Sequence, residues 1–160
     1  SLPGNGRRIL TRGRQLYERM FENVLVPTDG SKPARKAVQT GIELAAEQGA
    51  TVHGLYVVEP TYATEPGEVT ETLKRRGEGI VADIAEEAET QGVRAVTEVR
   101  LGVPHDAILD YAEDNDIDLI VMGTHGRTGL GRYLLGSVTQ KVVRLAEVPV
   151  LTVQAPDEEE

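Results

Sequence analysis

Residues 117–153 read IDLIVMGTHGRTGLGRYLLGSVTQKVVRLAEVPVLTV, and the order of patterns within them sets the architecture. Ile117 to Met122 is an apolar run of strand length, and the continuous apolar character of Asp118 to Met122 predicts a strand buried on both faces. A glycine-rich stretch follows, then a helical repeat from Val138 to Ala146, then the apolar segment VPVLTV from Val148 to Val153. Strand, loop, helix, strand is one parallel crossover unit.

Working outward from it, the same alternation recurs. Asn23 to Pro27 (NVLVP) is a short apolar run closed by Pro27, followed by the turn-rich Thr28, Asp29, Gly30, Ser31 and a helical pattern through Glu47. Thr51 to Val58 (TVHGLYVV) reads as a second strand, and Glu59 to Gly67 as a loop with two prolines. From Glu68 to Gln91 apolar residues return every three or four positions, giving a long amphipathic helix despite Gly77 and Gly79 and stopped by Gly92. Val93 to Leu101 alternates as an edge strand would, and Gly102, Val103, Pro104 open a helix holding Ala107, Ile108, Tyr111 and Ala112. Five strands alternating with four helices predict one doubly wound α/β domain, with a mainly parallel sheet and helices on both faces. Ligands of such sheets sit beyond the strand carboxyl ends where the order reverses. The polar, small-residue ends PTDGS and GTHG therefore belong side by side, which gives the order 3-2-1-4-5.

The stretch from Gly123 to Ser137 holds five glycines in fifteen residues. Glycine has no Cβ and tolerates positive φ, so successive N–H groups can turn inward on an anion, and the helix beginning at Ser137 adds its positive dipole end. Phosphate is the natural ligand. A Walker A loop would need a lysine before its hydroxyl residue, whereas Gly136 runs directly into Ser137, and a dinucleotide fingerprint starting at Gly129 and Gly131 fails at Leu134. Arg127, Arg132 and Lys141 are the cations placed to neutralise phosphate, with a solvated cation or surface ion pair as the alternative for each. Phosphoryl transfer needs a positioned base as well as charge stabilisers. Ser137 is not in a nucleophile elbow, and no His/Asp partnership follows from spacing.

Composition narrows the rest. The chain has 160 residues, 39% of them apolar, enough for one ordinary core. There is no cysteine, which excludes disulfides, thiolate metal sites and cysteine nucleophiles. His53, His105 and His125 lack ligand spacing, so each is expected to be structural or solvated, and no apolar run is long enough for a membrane span. Residues 1–19 carry five arginines (Arg7, Arg8, Arg12, Arg14, Arg19) against one acid; the remainder has 12 basic and 25 acidic residues. A body that acidic repels nucleic acid. Only four of the 17 basic residues are lysine, a balance expected of a protein kept soluble in high salt, as in a halophile. The arm 1–19 is expected to be an extension outside the fold, with a targeting or partner-binding arm as the alternative. Asp157 to Glu160 belong to a solvated acidic tail, residues 155–160.

The motifs VLVPTDGS, LYVVE, GVPHDAIL and VMGTHGRTGLGRYLLGSVTQKVV, with the spacing Gly123, two residues, Gly126, nine residues, Gly136-Ser137, resemble the universal stress protein superfamily from Met20 to Val153. The resemblance implies a domain at 20–154 that binds ATP, because the glycine motif is intact, and that dimerises through its last strand, Val148 to Val153. It also implies residue roles. Asp29 would accept ribose hydroxyls, unless its carboxylate serves only the turn; the Val57 backbone with Pro27 and Thr28 would face adenine; Met122 and Gly123 would line the base and ribose. Gly126, Arg127, Gly136, Ser137, Val138 and Thr139 would surround the phosphates. A magnesium ion bridging phosphate oxygens, with Ser137 or water supplying a further oxygen and no protein metal cage, completes the expectation. The implied protein is a cytoplasmic, nucleotide-dependent stress regulator, with a slow ATPase and a nucleotide-independent interaction module as alternatives.

Overall fold

A computed structural model describes residues 9–12, 15–18, 20–60, 66–125 and 135–154. Two short strands come first, β1 (Ile9–Arg12) and β2 (Gln15–Glu18), which pair antiparallel with each other in a sheet of their own. The sequence pattern did not announce this hairpin. The main elements follow as β3 (Asn23–Thr28), α1 (Lys32–Gln48), β4 (Thr51–Val58), α2 (Pro66–Thr90), β5 (Ala95–Leu101), α3 (Pro104–Asp114), β6 (Leu119–Gly123), α4 (Ser137–Leu145) and β7 (Val150–Val153). The five later strands form one sheet in the order β5-β4-β3-β6-β7, every pairing parallel, which is the expected 3-2-1-4-5.

Alternation along the strands sorts the core into two layers. Val24, Val26, Leu119 and Val121 pack with Ala37, Ile42 and Ala45 of α1 and Ile84 and Ala88 of α2. Leu25, Leu55, Ile120 and Met122 face the other way, against Ile108 and Tyr111 of α3 and Val142 of α4. All five residues of β6 are buried, as its unbroken apolar run predicts, while β5 and β7 are the half-exposed edges. Gly77 is no defect in α2: a Cβ there would overlap the ring of the buried Tyr56, 2.9 Å from its Cγ, so the glycine is what lets α2 lie close on β4.

Pro27 lies inside the central strand, where a proline would ordinarily break a ladder. Here it leaves the β4 ladder whole and falls where the β6 ladder ends. Glu22 O accepts from Thr51 N on the β4 side and Asn23 O accepts from Asp118 N on the β6 side, so alternate residues turn their polar groups to alternate neighbours and Pro27 faces β6. Pairing with β4 runs to Thr28, but pairing with β6 stops at Leu25 opposite Ile120. Pro27 offers no N–H toward β6, so the recorded ladder between β3 and β6 ends before it, and Pro27 lines the cleft beyond the strand ends.

At the opposite end of the sheet His53 is buried, with Nε2 3.0 Å from Asn23 Oδ1 and Nδ1 2.7 Å from the Tyr111 hydroxyl. An amide oxygen only accepts, so Nε2 carries the proton and Tyr111 donates to Nδ1. Burial lowers the His53 pKa against a smaller opposing pull from Asp118, and burial pushes the Tyr111 phenol up to about 12. This histidine is structural, as its isolated position in sequence implies.

Candidate functional site

The cleft has a volume of about 400 Å³ and lies beyond the carboxyl ends of β3, β4 and β6, where the strand order reverses. Pro27, Thr28 and Asp29 come from the end of β3, Leu55 to Glu59 from β4, and Met122, Gly123 and His125 from β6 and the residues just after it. Gly136, Ser137, Val138 and Thr139 bring the first turn of α4; Pro104 and Ile108 of α3, Ala34 of α1 and Leu73 of α2 complete the walls. Ten of the twelve residues singled out from the sequence thus line one cleft, and the other two, Gly126 and Arg127, fall outside the described residues, as does Arg132. Lys141 is exposed on α4 and is not a wall residue.

Two helix N-termini meet the cleft in different states. At α1, Ser31 accepts the Ala34 N–H on its own hydroxyl, and the preceding turn closes through Gly30 N to Thr28 Oγ1 (3.0 Å) and Ser31 N to Asp29 Oδ1 (2.9 Å). That end is capped. At α4 the N-cap is Gly136, no side chain caps the helix, and the three residues of its first turn all line the cleft. An uncapped N-terminus presents free N–H groups and a positive partial charge, which is what an anion needs. Asp29 combines both sequence readings in one place, since its Oδ1 serves the turn while the residue also lines the cleft.

The glycines at this end are required by space rather than by dihedral angle. Neither Gly123 nor Gly136 has positive φ, and Gly136 sits at an ordinary φ of −65°. A Cβ on Gly123 would come 2.9 Å from Pro33 O, and one on Gly136 would come 3.3 Å from the Cα of His125. Gly136 N donates to Thr124 O at 2.7 Å, and the buried Thr139 hydroxyl donates to Gly123 O at 2.9 Å. Thr124 N in turn donates to Val153 O, tying the last strand to the same corner. The chain leaves this corner at His125 and returns to it at Gly136.

The polarity of the walls is uneven. Asp29 and Glu59 contribute carboxylates, and His125 holds a 3.2 Å hydrogen bond with the Thr124 hydroxyl. Among the described wall residues there is no lysine or arginine, and among the described residues no three His, Asp or Glu side chains group as a metal site. Sequence reasoning missed the Leu55, Tyr56, Val58, Ile108 and Leu73 walls because apolar residues at helix or strand spacing read as core. Pro104 was visible only as a helix start.

Comparison with known proteins agrees with this geometry. The model of the universal stress protein family matches residues 20–154. A universal stress protein of Methanocaldococcus jannaschii is 39% identical over 148 residues, which covers 89% of this chain and 87% of that one. A second from the same organism is 30% identical, and its solved structure superimposes with a TM-score of 0.78 over 87% of this chain and 99% of its own. A universal stress protein crystallised in complex with cAMP is 25% identical, with a TM-score of 0.68 over 83% of this chain and 97% of that one. No helix among the described residues is long and apolar enough to cross a membrane. With its sheet order, its cleft at the switch point and its full-length matches, the chain belongs to the universal stress protein family.

Proposed function

We propose that the cleft binds ATP, and that occupancy makes this protein a nucleotide-dependent regulator rather than a metabolic enzyme. The observation that carries the reading is the uncapped first turn of α4, held at the cleft mouth behind Gly136 with Ser137, Val138 and Thr139 on the wall. Phosphates sit there; Gly126 and Arg127, which the family motif assigns to them, lie outside the described residues. The apolar wall of Pro27, Val57 and Met122 takes adenine, and Asp29 with Gly123 takes the ribose. The cAMP complex of a family member supports an adenine nucleotide as the ligand class. With carboxylates on the described wall and no described cation there, a triphosphate would bring magnesium, which the Ser137 hydroxyl would help to hold and which would offset the phosphate charge. Arg127 supplies the remaining positive charge.

Residues 20–154 form the nucleotide-binding domain, and the arm 1–19 stands outside it. The regulatory output is a homodimer. Among the described residues β7 pairs with β6 alone, which leaves its other edge without a strand partner beside the exposed Leu151, with Val143 and Leu145 exposed on α4. An open apolar edge is a template for pairing with a second copy. The protein acts in the cytoplasm. Isothermal titration with Mg-ATP tests the binding reading: saturable one-to-one binding is the expected result, and no heat up to millimolar ATP defeats it.

A further inference from the structure

We infer that Thr139 is a positioning residue, setting the affinity of the cleft for phosphate without touching it through its side chain; the inference rests on the nucleotide reading above. Thr139 stands in the first turn of α4, where no carbonyl of the helix lies four residues behind it to take its hydroxyl. Its Oγ1 donates to the carbonyl of Gly123, 16 residues away at the end of β6, at 2.9 Å, and the residue is 5% exposed. A hydroxyl has one proton. With that proton on Gly123, the side chain has none to give a phosphate oxygen, so its contribution passes through the helix it holds.

The hold has two points. Gly136 N on Thr124 O fixes the N-cap of α4, and Thr139 on Gly123 O fixes the helix three residues further in. One bond would leave the helix a pivot; two, on adjacent carbonyls of one strand end, fix its aim. The groups aimed are the first-turn N–H groups, and an anion site is as strong as the convergence of its donors. The adenine and ribose walls, Pro27, Asp29, Val57, Met122 and Gly123, belong to strands that the sheet holds in place or lie just beyond them, so the helix is the partner that moves when the latch is lost. Loss of the latch therefore weakens phosphate recognition and spares the nucleoside.

The test uses the full chain and two ligands that differ by the phosphate, AMP and adenosine, measured by titration calorimetry on the wild type, Thr139→Val, Thr139→Ala and Thr139→Ser. Removing the hydroxyl is expected to weaken AMP about tenfold, the scale of one lost directing hydrogen bond, and to change adenosine by less than about twofold. Thr139→Ser restores the hydroxyl and is expected to return AMP binding to the wild-type level. Thr139→Val keeps the volume of the side chain, and Thr139→Ala gives the same reading if the valine is not folded by circular dichroism. AMP affinity unchanged in the hydroxyl-free variants overturns the inference, as does a parallel loss of AMP and adenosine, which would make Thr139 a residue of the fold alone. A wild type that binds neither ligand overturns the nucleotide reading first and the inference with it.

Discussion

At the scale of single residues, the cleft depends on what is missing as much as on what is present. Gly136 has an ordinary φ, so an alanine there would be only tight against the His125 backbone, whereas a valine brings two more methyl groups into the same space. Gly136→Val is expected to weaken ATP binding at least about a hundredfold, or about 2.7 kcal/mol, with an unchanged far-ultraviolet spectrum. Calorimetry with circular dichroism checks both. His53 gives a residue-level pH signature. Its pKa is lowered in the folded protein, so the unfolded chain binds the proton more readily. The stability it contributes is present above the unfolded value of about 6.5 and is lost as pH falls from there through the folded value. Urea midpoints between pH 7.5 and 5 should therefore fall further in the wild type than in His53→Gln, and parallel curves would contradict the assignment.

At the scale of elements, most of the fold was legible. The strand and helix sequence followed from apolar periodicity, and β6 declared its burial through five apolar or small residues in a row. Pro27 was legible only as a stop, because sequence cannot show that its missing N–H faces β6 rather than β4 or that the residue lines the cleft. The apolar walls Leu55, Ile108 and Leu73 were not legible as site residues, since a side chain that lines a cleft and one that fills a core have the same chemistry. Two of the three glycines of α2, Gly77 and Gly79, separate the same way: identical in sequence, they differ in what lies above them. A Cβ at Gly79 meets nothing within 4 Å, whereas one at Gly77 meets the Tyr56 ring. Gly79→Ala is expected to stabilise by about 0.5–1 kcal/mol through helix propensity. Gly77→Ala is expected to destabilise by about 1–3 kcal/mol through overpacking. Denaturant unfolding of the two variants checks the contrast; equal signs would contradict the close crossing of α2 over β4.

At the scale of the whole molecule, charge and edge strands govern behaviour in solution. The net charge is −9, and with the arginine-rich arm set aside the remaining residues are more acidic still. Self-repulsion on that scale is screened by salt. The thermal midpoint is expected to rise between 0.1 M and 2 M KCl, as scanning calorimetry would record, and indifference to salt would remove the link to a high-salt source. Thr124 joins the two halves of the regulatory proposal, since its N–H holds Val153 of the edge strand and its carbonyl holds Gly136 of the phosphate helix. A dimer through β7 would thus share a corner with the nucleotide, and by linkage each would strengthen the other by the same factor. Sedimentation of Leu151→Lys should show a monomer at micromolar concentration where the wild type is a dimer. The functional reading rests on the cleft holding an adenine nucleotide, and the most direct measurement is the small-molecule content of the protein purified without added ligand. Denaturation followed by ion-pair chromatography of the supernatant, with an Mg-ATP titration of the stripped protein, is predicted to yield bound adenine nucleotide and saturable rebinding. An empty protein that also fails to bind ATP at millimolar concentration would contradict it.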